Sequence, residues 1–330
     1  MSSSIKIAPP LLSIRQLALG FESVSGLCPI LYGLDLDIDR GQSVGVLGES
    51  GCGKSVTWMA VLGLLGKRAK VQGSVRLDGV EILNAPDKSL SAIRGRRIAM
   101  IFQDPSSSLN PSHRIGAQIG EALALHRGLS GDANVREAQR LLEQVHIPNA
   151  KQRMNAYPHE MSGGMNQRVM IAMALAGEPD LLIADEPTTA LDATVQAQIL
   201  DLLAEVRRDT GMALVTISHD LGVIAQSSET TIVMYAGRIV EIAKTSSLFS
   251  NPCHPYTQGL LAALPDIEGT THRLQAITGT VPEAGNLPSG CSFHPRCPVA
   301  LEVCKRELPV LHDLTLNHFS ACHRRNEVNP

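Results

Sequence analysis

At 330 residues, with 44% hydrophobic residues and a formal net charge of −3, the chain suits one large core plus an appendage, and its balanced charge argues against broad attraction to nucleic acid. Aromatic residues make up 3%, which leaves few platforms for base stacking. No window reaches the roughly 18 consecutive apolar residues that cross a bilayer, and residues 1–14 lack signal-peptide order, so a soluble, cytoplasmic chain is expected.

Residues 11–47 alternate apolar and polar positions, as in Leu34-Asp35-Leu36-Asp37-Ile38-Asp39. That period of two predicts half-exposed antiparallel strands. Ser43 to Leu47 reads as a buried strand, and it enters Gly48-Glu49-Ser50-Gly51-Cys52-Gly53-Lys54-Ser55. This stretch fits G-x-x-x-x-G-K-[S/T] at every fixed position, and an apolar helix over 56–65 follows it. Glycines let a backbone turn tightly and bring its N–H groups up to a polyphosphate. A helix N-terminus behind them adds unpaired donors and partial positive charge. The cradle therefore runs from Gly48 through Ser50, Gly51, Cys52 and Gly53 to Val56. Lys54 is expected at the β and γ phosphates, and the Ser55 hydroxyl at Mg²⁺. A glycine-rich turn ending in Lys-Ser by chance would not need the strand and helix that flank it. A nucleoside triphosphate is the expected ligand.

Residues 71–82 again read as strand, with Asp78-Gly79 as a turn signal. Ile98 to Phe102 is a short buried strand ending at Gln103. From about 104 to 155 the character changes: Asp104-Pro105 and Asn110-Pro111 mark a loop, and helical runs such as 135–145 follow. This predicts a helical insertion. Next come Met161-Ser162-Gly163-Gly164-Met165-Asn166-Gln167-Arg168 and a helix over 169–176. Ser162 is a good N-cap and the glycines expose the first N–H groups, so a capped helix or a second anion site are both open.

Leu181-Leu182-Ile183-Ala184 is a continuous apolar strand, as in a parallel sheet covered on both faces, and it ends in Asp185-Glu186. Asp185 at the strand edge is placed to hold Mg²⁺, and Glu186 to polarise an attacking water as general base. An acidic pair after a strand is more often a helix start, and Pro187-Thr188-Thr189 would suit that. The phosphate loop tips the balance to catalysis. Val195, Ile199, Leu202, Leu203 and Val206 repeat at helical spacing, residues 213–217 form another buried strand, and Tyr235-Ala236-Gly237-Arg238 reads as a hairpin turn. Beyond about 245 prolines multiply and periodicity fades, which marks a boundary.

Together and in this order, the glycine loop, Gln103, the Ser-Gly-Gly signature, Asp185-Glu186, Ala190-Leu191-Asp192 and His219 resemble the ATP-binding subunit of an ABC transporter. The resemblance covers residues 11–245 and implies an α/β ABC-type nucleotide-binding domain: a phosphate-loop core with a mostly parallel sheet, an antiparallel β subdomain and a helical subdomain at about 104–176. Residues 1–10 would be a tail and 246–330 a small extension. In such proteins two subunits sandwich two ATP molecules. The resemblance then implies that Ser162, Gly163 and Gly164 donate to the γ-phosphate held by the other subunit. Gln103 would sense Mg²⁺ and the attacking water and relay to the membrane subunits. His219 would contact the γ-phosphate, with a buried structural histidine as its bland alternative, and Asp192 would link the two sites. Phe21 is the expected adenine-stacking aromatic, with Tyr32 its rival. Met165 stands where the signature usually has Gln, a position peripheral to the phosphate contact.

A narrower resemblance lies in Gln103-Asp104-Pro105-Ser106-Ser107-Ser108-Leu109-Asn110-Pro111, Tyr157-Pro158-His159-Glu160, and His254-Pro255-Tyr256-Thr257-Gln258, which look like the dipeptide and oligopeptide importers. Nickel importers share parts of it. It implies two membrane permease subunits, a second ATP-binding subunit (a related chain, with a second copy of this one as the alternative), an extracytoplasmic solute-binding protein and a place at the cytoplasmic face of the membrane. Nucleic acid is not an expected partner. A soluble ABC-type ATPase of DNA repair or translation would show two cassettes or coiled coils, and a nucleotide kinase or GTPase would lack the signature and His219.

Cys291, Cys297, Cys304 and Cys322 crowd the last forty residues, with gaps of five, six and seventeen residues that lack the C-x2-C knuckle of common zinc sites. In a reducing cytosol they would more often hold a metal than a disulfide. An iron–sulfur cluster, zinc and unliganded thiols all remain open from the spacing. The importer extension, with its Gly-Cys-x5-Cys-Pro-x5-Cys pattern, implies a [4Fe–4S] cluster. His294, His318 and His323 lie nearby and could replace a cysteine, with surface histidines the default expectation.

Overall fold

The computed structural model describes residues 9–24, 26–103, 108–189, 191–263, 277–315 and 317–324. Asp104 to Ser107 of the importer-like segment and Ala190 lie outside them. The chain folds as two compact units: Met1–Leu12, Ile38–Ser43 and Leu77–Ile217 form one, and Ser13–Asp37, Val44–Arg76 and Ser218–Pro330 the other.

Among the described residues, twelve strands run in chain order as β1 (Leu12–Ser23), β2 (Gly26–Ile38), β3 (Ser43–Leu47), β4 (Ala69–Leu77), β5 (Val80–Glu81), β6 (Ile98–Ile101), β7 (Leu181–Asp185), β8 (Ala213–Ser218), β9 (Thr230–Tyr235), β10 (Arg238–Lys244), β11 (His312–Thr315) and β12 (His318–Ser320). The helices are α1 (Lys54–Val61), α2 (Asp87–Ile93), α3 (Ile115–Arg127), α4 (Gly131–Gln144), α5 (Ala150–Arg153), α6 (Gly163–Leu175), α7 (Ala193–Thr210), α8 (Leu221–Ser227), α9 (Thr245–Ser250) and α10 (Pro255–Ala262).

In the first unit β6, β7 and β8 pair in parallel, with Ile98 opposite Leu181 and Leu181 opposite Ala213. All five residues of β7 are buried, which is why its sequence is an unbroken apolar run rather than an alternation. Helices α3, α4, α6 and α7 build one core with these strands; Ile119, Leu142, Ile171, Leu182, Ile199 and Leu203 are each at most 1% exposed. The expected insertion is helical, and Asn110-Pro111 does lie in a loop.

In the second unit β2, β1 and β4 pair side by side in that order. Separately, β3 pairs in parallel with β9, β9 in antiparallel with β10, and β10 in antiparallel with β12, which β11 flanks. The expected hairpin at 235–238 is present. Ala236 and Gly237 have φ of 45° and 76°, the pair of positive values that a tight two-residue turn requires. A Cβ on Gly237 would sit 1.9 Å from the Ile30 carbonyl oxygen, so this corner also needs glycine for space.

Two boundaries differ from expectation. Helix α1 begins at Lys54 and stops at Val61 rather than running to 65, because Gly63 takes a left-handed φ of 61° just past the last turn. Beyond 245 the chain still forms α9, α10, β11 and β12. Most of these are too short to show a period in sequence. Leu47, Val233, Tyr235, Val240, Leu248, Tyr256 and Phe293 share one buried cluster there.

Candidate nucleotide and cysteine sites

Strand β3, buried along its whole length, delivers the chain to the glycine loop. A Cβ on Gly48 would lie 2.4 Å from the Met234 carbonyl oxygen, a backbone approach that only glycine permits. Gly53, with φ 104°, is the N-cap of α1 and supplies no side chain. No N-cap side chain therefore accepts from the first N–H groups of α1. Lys54 is 6% exposed, and its ammonium donates to the carbonyls of Gly48 at 2.7 Å and Glu49 at 3.0 Å. The stem thus crosses beneath the loop and the cation sits inside it. Cys52 is buried, and desolvation raises its thiol pKa, so it stays a neutral packing residue. Ser55 and Val56 are half-exposed on the first turn of α1.

The acidic pair is not a helix start. Asp185 closes β7 at 4% exposure, and Glu186 turns away with φ 48°, an uncommon conformation for a residue with a Cβ. Its N–H donates to the Ile217 carbonyl at 2.9 Å, which fixes the turn. One carboxylate oxygen, Oε2, accepts from Gln103 Nε2 and from Thr189 Oγ1, both at 2.8 Å. Gln103 lies two residues past β6 and Thr189 in the turn after Glu186, so a half-exposed carboxylate is held in one orientation. That is what a positioned general base needs. Sequence reading missed Thr189 as an orienter; its spacing of three from Glu186 was the available signal.

Ser162 caps α6, its Oγ accepting from the Met165 N–H at 3.3 Å. Gly163 is exposed, and a Cβ there would meet nothing nearer than Leu191 Cδ2 at 3.9 Å. Gly164 differs: a Cβ would press to 2.6 Å on Val195 Cγ1, a close approach of α6 to α7. Met165 packs its thioether chain against the core of this unit.

Asp192 caps α7, with Oδ1 accepting from the N–H groups of Thr194 and Val195 at 3.0 Å each. Asp192→Ala should therefore cost about 1 kcal/mol of stability through loss of the cap. Urea unfolding of the variant, followed by helical signal, checks it. His219 follows β8 and is exposed, so the buried structural histidine weighed against it is not what the fold contains. Phe21 is half-buried in β1. Tyr32 is already engaged: the Arg238 guanidinium lies 4.6 Å from its ring centre and its hydroxyl donates to the Pro29 carbonyl.

Cys291, Cys297, Cys304 and Cys322 all line one small cavity of about 10 Å³, together with His294 and His323. None is in a disulfide. Leu301 N–H donates to Cys304 Sγ at 3.4 Å and Arg324 N–H to Cys322 Sγ at 3.5 Å. The N–H groups of Phe293 and Val299 face Cys291 and Cys297 in the same way. Burial pushes the Cys291 thiol up to about 11 and raises Cys297 and Cys322, so any ion taken up here must displace protons.

A single zinc ion with Zn–S near 2.3 Å would need sulfurs about 3.8 Å apart. Among the described residues, the one trio of ligand atoms within 4.8 Å of one another is Glu241, Cys253 and His318, so no three of the four sulfurs converge that far. The four thiols, with backbone N–H groups beside them, are the donor type that thiolate-held groups use. The nearby histidines are otherwise engaged. His318 is not a surface residue: it is 6% exposed and its Nε2 lies 2.7 Å from the fully buried Glu241 carboxylate. His294 and His323 contact the carbonyls of Cys291 and Glu307.

Comparison with known proteins agrees with this geometry. The family model described as ABC transporter matches residues 31–189, and that described as the oligopeptide/dipeptide transporter C-terminal region matches residues 240–304. The chain is 47% identical over 321 residues to a probable peptide ABC transporter ATP-binding protein, y4tR, of Sinorhizobium fredii, covering 96% of each. It is 46% identical over 312 residues to the oligopeptide transport ATP-binding protein OppD of Salmonella typhimurium, covering 94% of this chain and 93% of that one. A solved dimeric, post-hydrolysis ATP-binding cassette, MJ0796 with ADP and Pi, superposes with a TM-score of 0.64 at 27% identity, over 71% of this chain and 98% of that one. Among the described residues no helix is long and apolar enough to cross a membrane. The chain belongs to the ATP-binding subunits of ABC transporters, in the group that carries the oligopeptide/dipeptide C-terminal region.

Proposed function

We propose that this ABC ATPase powers import of dipeptides or oligopeptides through a separate membrane permease, working at the cytoplasmic face of the membrane. The observation that carries the reading is that the cassette and the oligopeptide-type extension occur in one chain that aligns end to end with peptide-importer subunits. The backbone from Gly48 to Val56 binds the triphosphate and Lys54 turns from the loop carbonyls toward it. Glu186, oriented by Gln103 and Thr189, takes the proton of the attacking water. Ser55 and Asp185 offer the hard oxygen donors, aided by Gln103, that hold Mg²⁺, which neutralises phosphate charge. Phe21 stacks on adenine, since one face of Tyr32 is covered by Arg238.

Gly163 supports the sandwich arrangement. It is exposed, and a Cβ there would meet nothing nearer than Leu191 Cδ2 at 3.9 Å, so it is open to a phosphate group brought by a second subunit, with Ser162 and Gly164 beside it. His219 meets the same γ-phosphate and Asp192 couples the two sites. The partners are two permease subunits, a related second ATP-binding subunit and, indirectly, an extracytoplasmic solute-binding protein. Purification through a tag on this chain in mild detergent, with partners identified by mass spectrometry, tests this. Two permeases and a second ATPase support it; nucleic-acid enzymes in their place overturn it.

The four-cysteine cavity holds a [4Fe–4S] cluster that staples an extension with little core of its own. Protein isolated without oxygen should carry about four iron and four sulfide per chain with a broad visible absorption, and Cys297→Ser should lose both. Stoichiometric zinc with no sulfide would overturn the cluster.

A further inference from the structure

The second residue of the phosphate loop, Glu49, faces the C-terminal extension. Its carboxylate accepts two hydrogen bonds from the Arg296 guanidinium, at 2.6 and 3.0 Å. Its backbone N–H donates to the Tyr256 hydroxyl at 2.9 Å. Arg296 is buried, with only 6% of its side chain exposed, and its Nε donates to the Thr278 carbonyl at 3.0 Å. A two-pronged guanidinium–carboxylate pair fixes direction as well as distance. The Tyr256 ring is wedged between Tyr235 and Phe293, with centroids 4.7 and 5.4 Å away. Phe293 and Arg296 lie on the short segment between Cys291 and Cys297, and the Arg296 N–H donates back to the Phe293 carbonyl. The segment that carries two of the four cysteines therefore also carries Arg296 and the Phe293 ring that packs on Tyr256.

We propose that Arg296 and Tyr256 are positioning residues for the phosphate loop, through which the cysteine-bearing extension sets the affinity for the triphosphate. This rests on the reading of residues 48–55 as the ATP phosphate loop. Neither side chain touches nucleotide. Each holds Glu49 so that the following N–H groups stay aimed into the loop, a geometry that Lys54 completes by bonding the Gly48 and Glu49 carbonyls from within. A passive docking contact between core and extension would cost stability alone; a positioning contact costs affinity for phosphates selectively.

The test is calorimetric titration of Mg·ATP and of adenosine into the full chain and into Tyr256→Phe, Glu49→Gln, Arg296→Gln and the double variant Glu49→Gln/Arg296→Gln. Tyr256→Phe removes one hydroxyl and keeps the packed ring, so it remains informative if Arg296→Gln fails to fold. The expected result is about tenfold weaker Mg·ATP binding for Tyr256→Phe and Glu49→Gln, unchanged adenosine binding, and a double variant no worse than the worse single. Wild-type Mg·ATP affinity in Tyr256→Phe, or equal losses for ATP and adenosine, would overturn the positioning role while leaving the loop assignment intact. A wild-type chain that binds no Mg·ATP would overturn the loop assignment itself.

Discussion

Glu186→Gln is expected to bind Mg·ATP normally and to hydrolyse it at least about a hundredfold more slowly, the usual weight of a positioned general base. The substitution is nearly isosteric. Glutamine retains a carbonyl oxygen that can accept from Gln103 and Thr189, as Glu186 Oε2 does now at 2.8 Å from each. The left-handed turn at 186, anchored by its N–H on Ile217, is a backbone feature that the amide leaves alone. What is lost is the ability to take a proton. A chain so altered should accumulate as an ATP-bound dimer, visible by size-exclusion chromatography with Mg·ATP. Single-turnover hydrolysis at the wild-type rate would remove Glu186 from the role of base. Thr189→Val offers a graded companion: it deletes one orienting bond and should slow turnover without changing nucleotide affinity.

Lys54→Ala is expected to weaken Mg·ATP binding by about ten- to a hundredfold, the range for a lost hydrogen bond to a charged group. The ammonium is 6% exposed and already inside the loop, bonded to two of its carbonyls. Removing it subtracts a cation from the phosphate site and also leaves the Gly48 and Glu49 carbonyls without that donor. Fluorescence titration with a nucleotide analogue measures the first effect, and thermal unfolding without nucleotide measures the second. Affinity unchanged from wild type would contradict the assignment of this loop to the triphosphate.

Sequence periodicity carried the buried strands well because strands flanked on both faces are apolar throughout. Leu181 to Ala184 reads unambiguously for that reason, and Ala236-Gly237 announces its turn through the one residue that fits beside the Ile30 carbonyl. The end of α1 was not readable, because Leu62 to Leu65 stay apolar while Gly63 breaks the helix. The orientation of Glu186 was equally hidden. Two carboxylates after a strand say nothing of a left-handed turn or of a glutamine 83 residues away in the chain. The same holds for Arg296 and Glu49, 247 residues apart. Tyr256 stood in a recognised motif, yet its bond to the loop follows from folding alone. His318 misled because a histidine near cysteines in a proline-rich tail has no sequence mark of burial against Glu241.

The central claim is that this chain converts ATP hydrolysis into peptide import, and uptake into vesicles tests it most directly. The complex purified through this chain would be reconstituted with its solute-binding protein on one side and Mg·ATP on the other, and labelled di- and oligopeptides offered. Uptake that requires ATP and vanishes with Glu186→Gln is the predicted result. Vesicles that hydrolyse ATP and import no peptide, or that import another small solute instead, would contradict it.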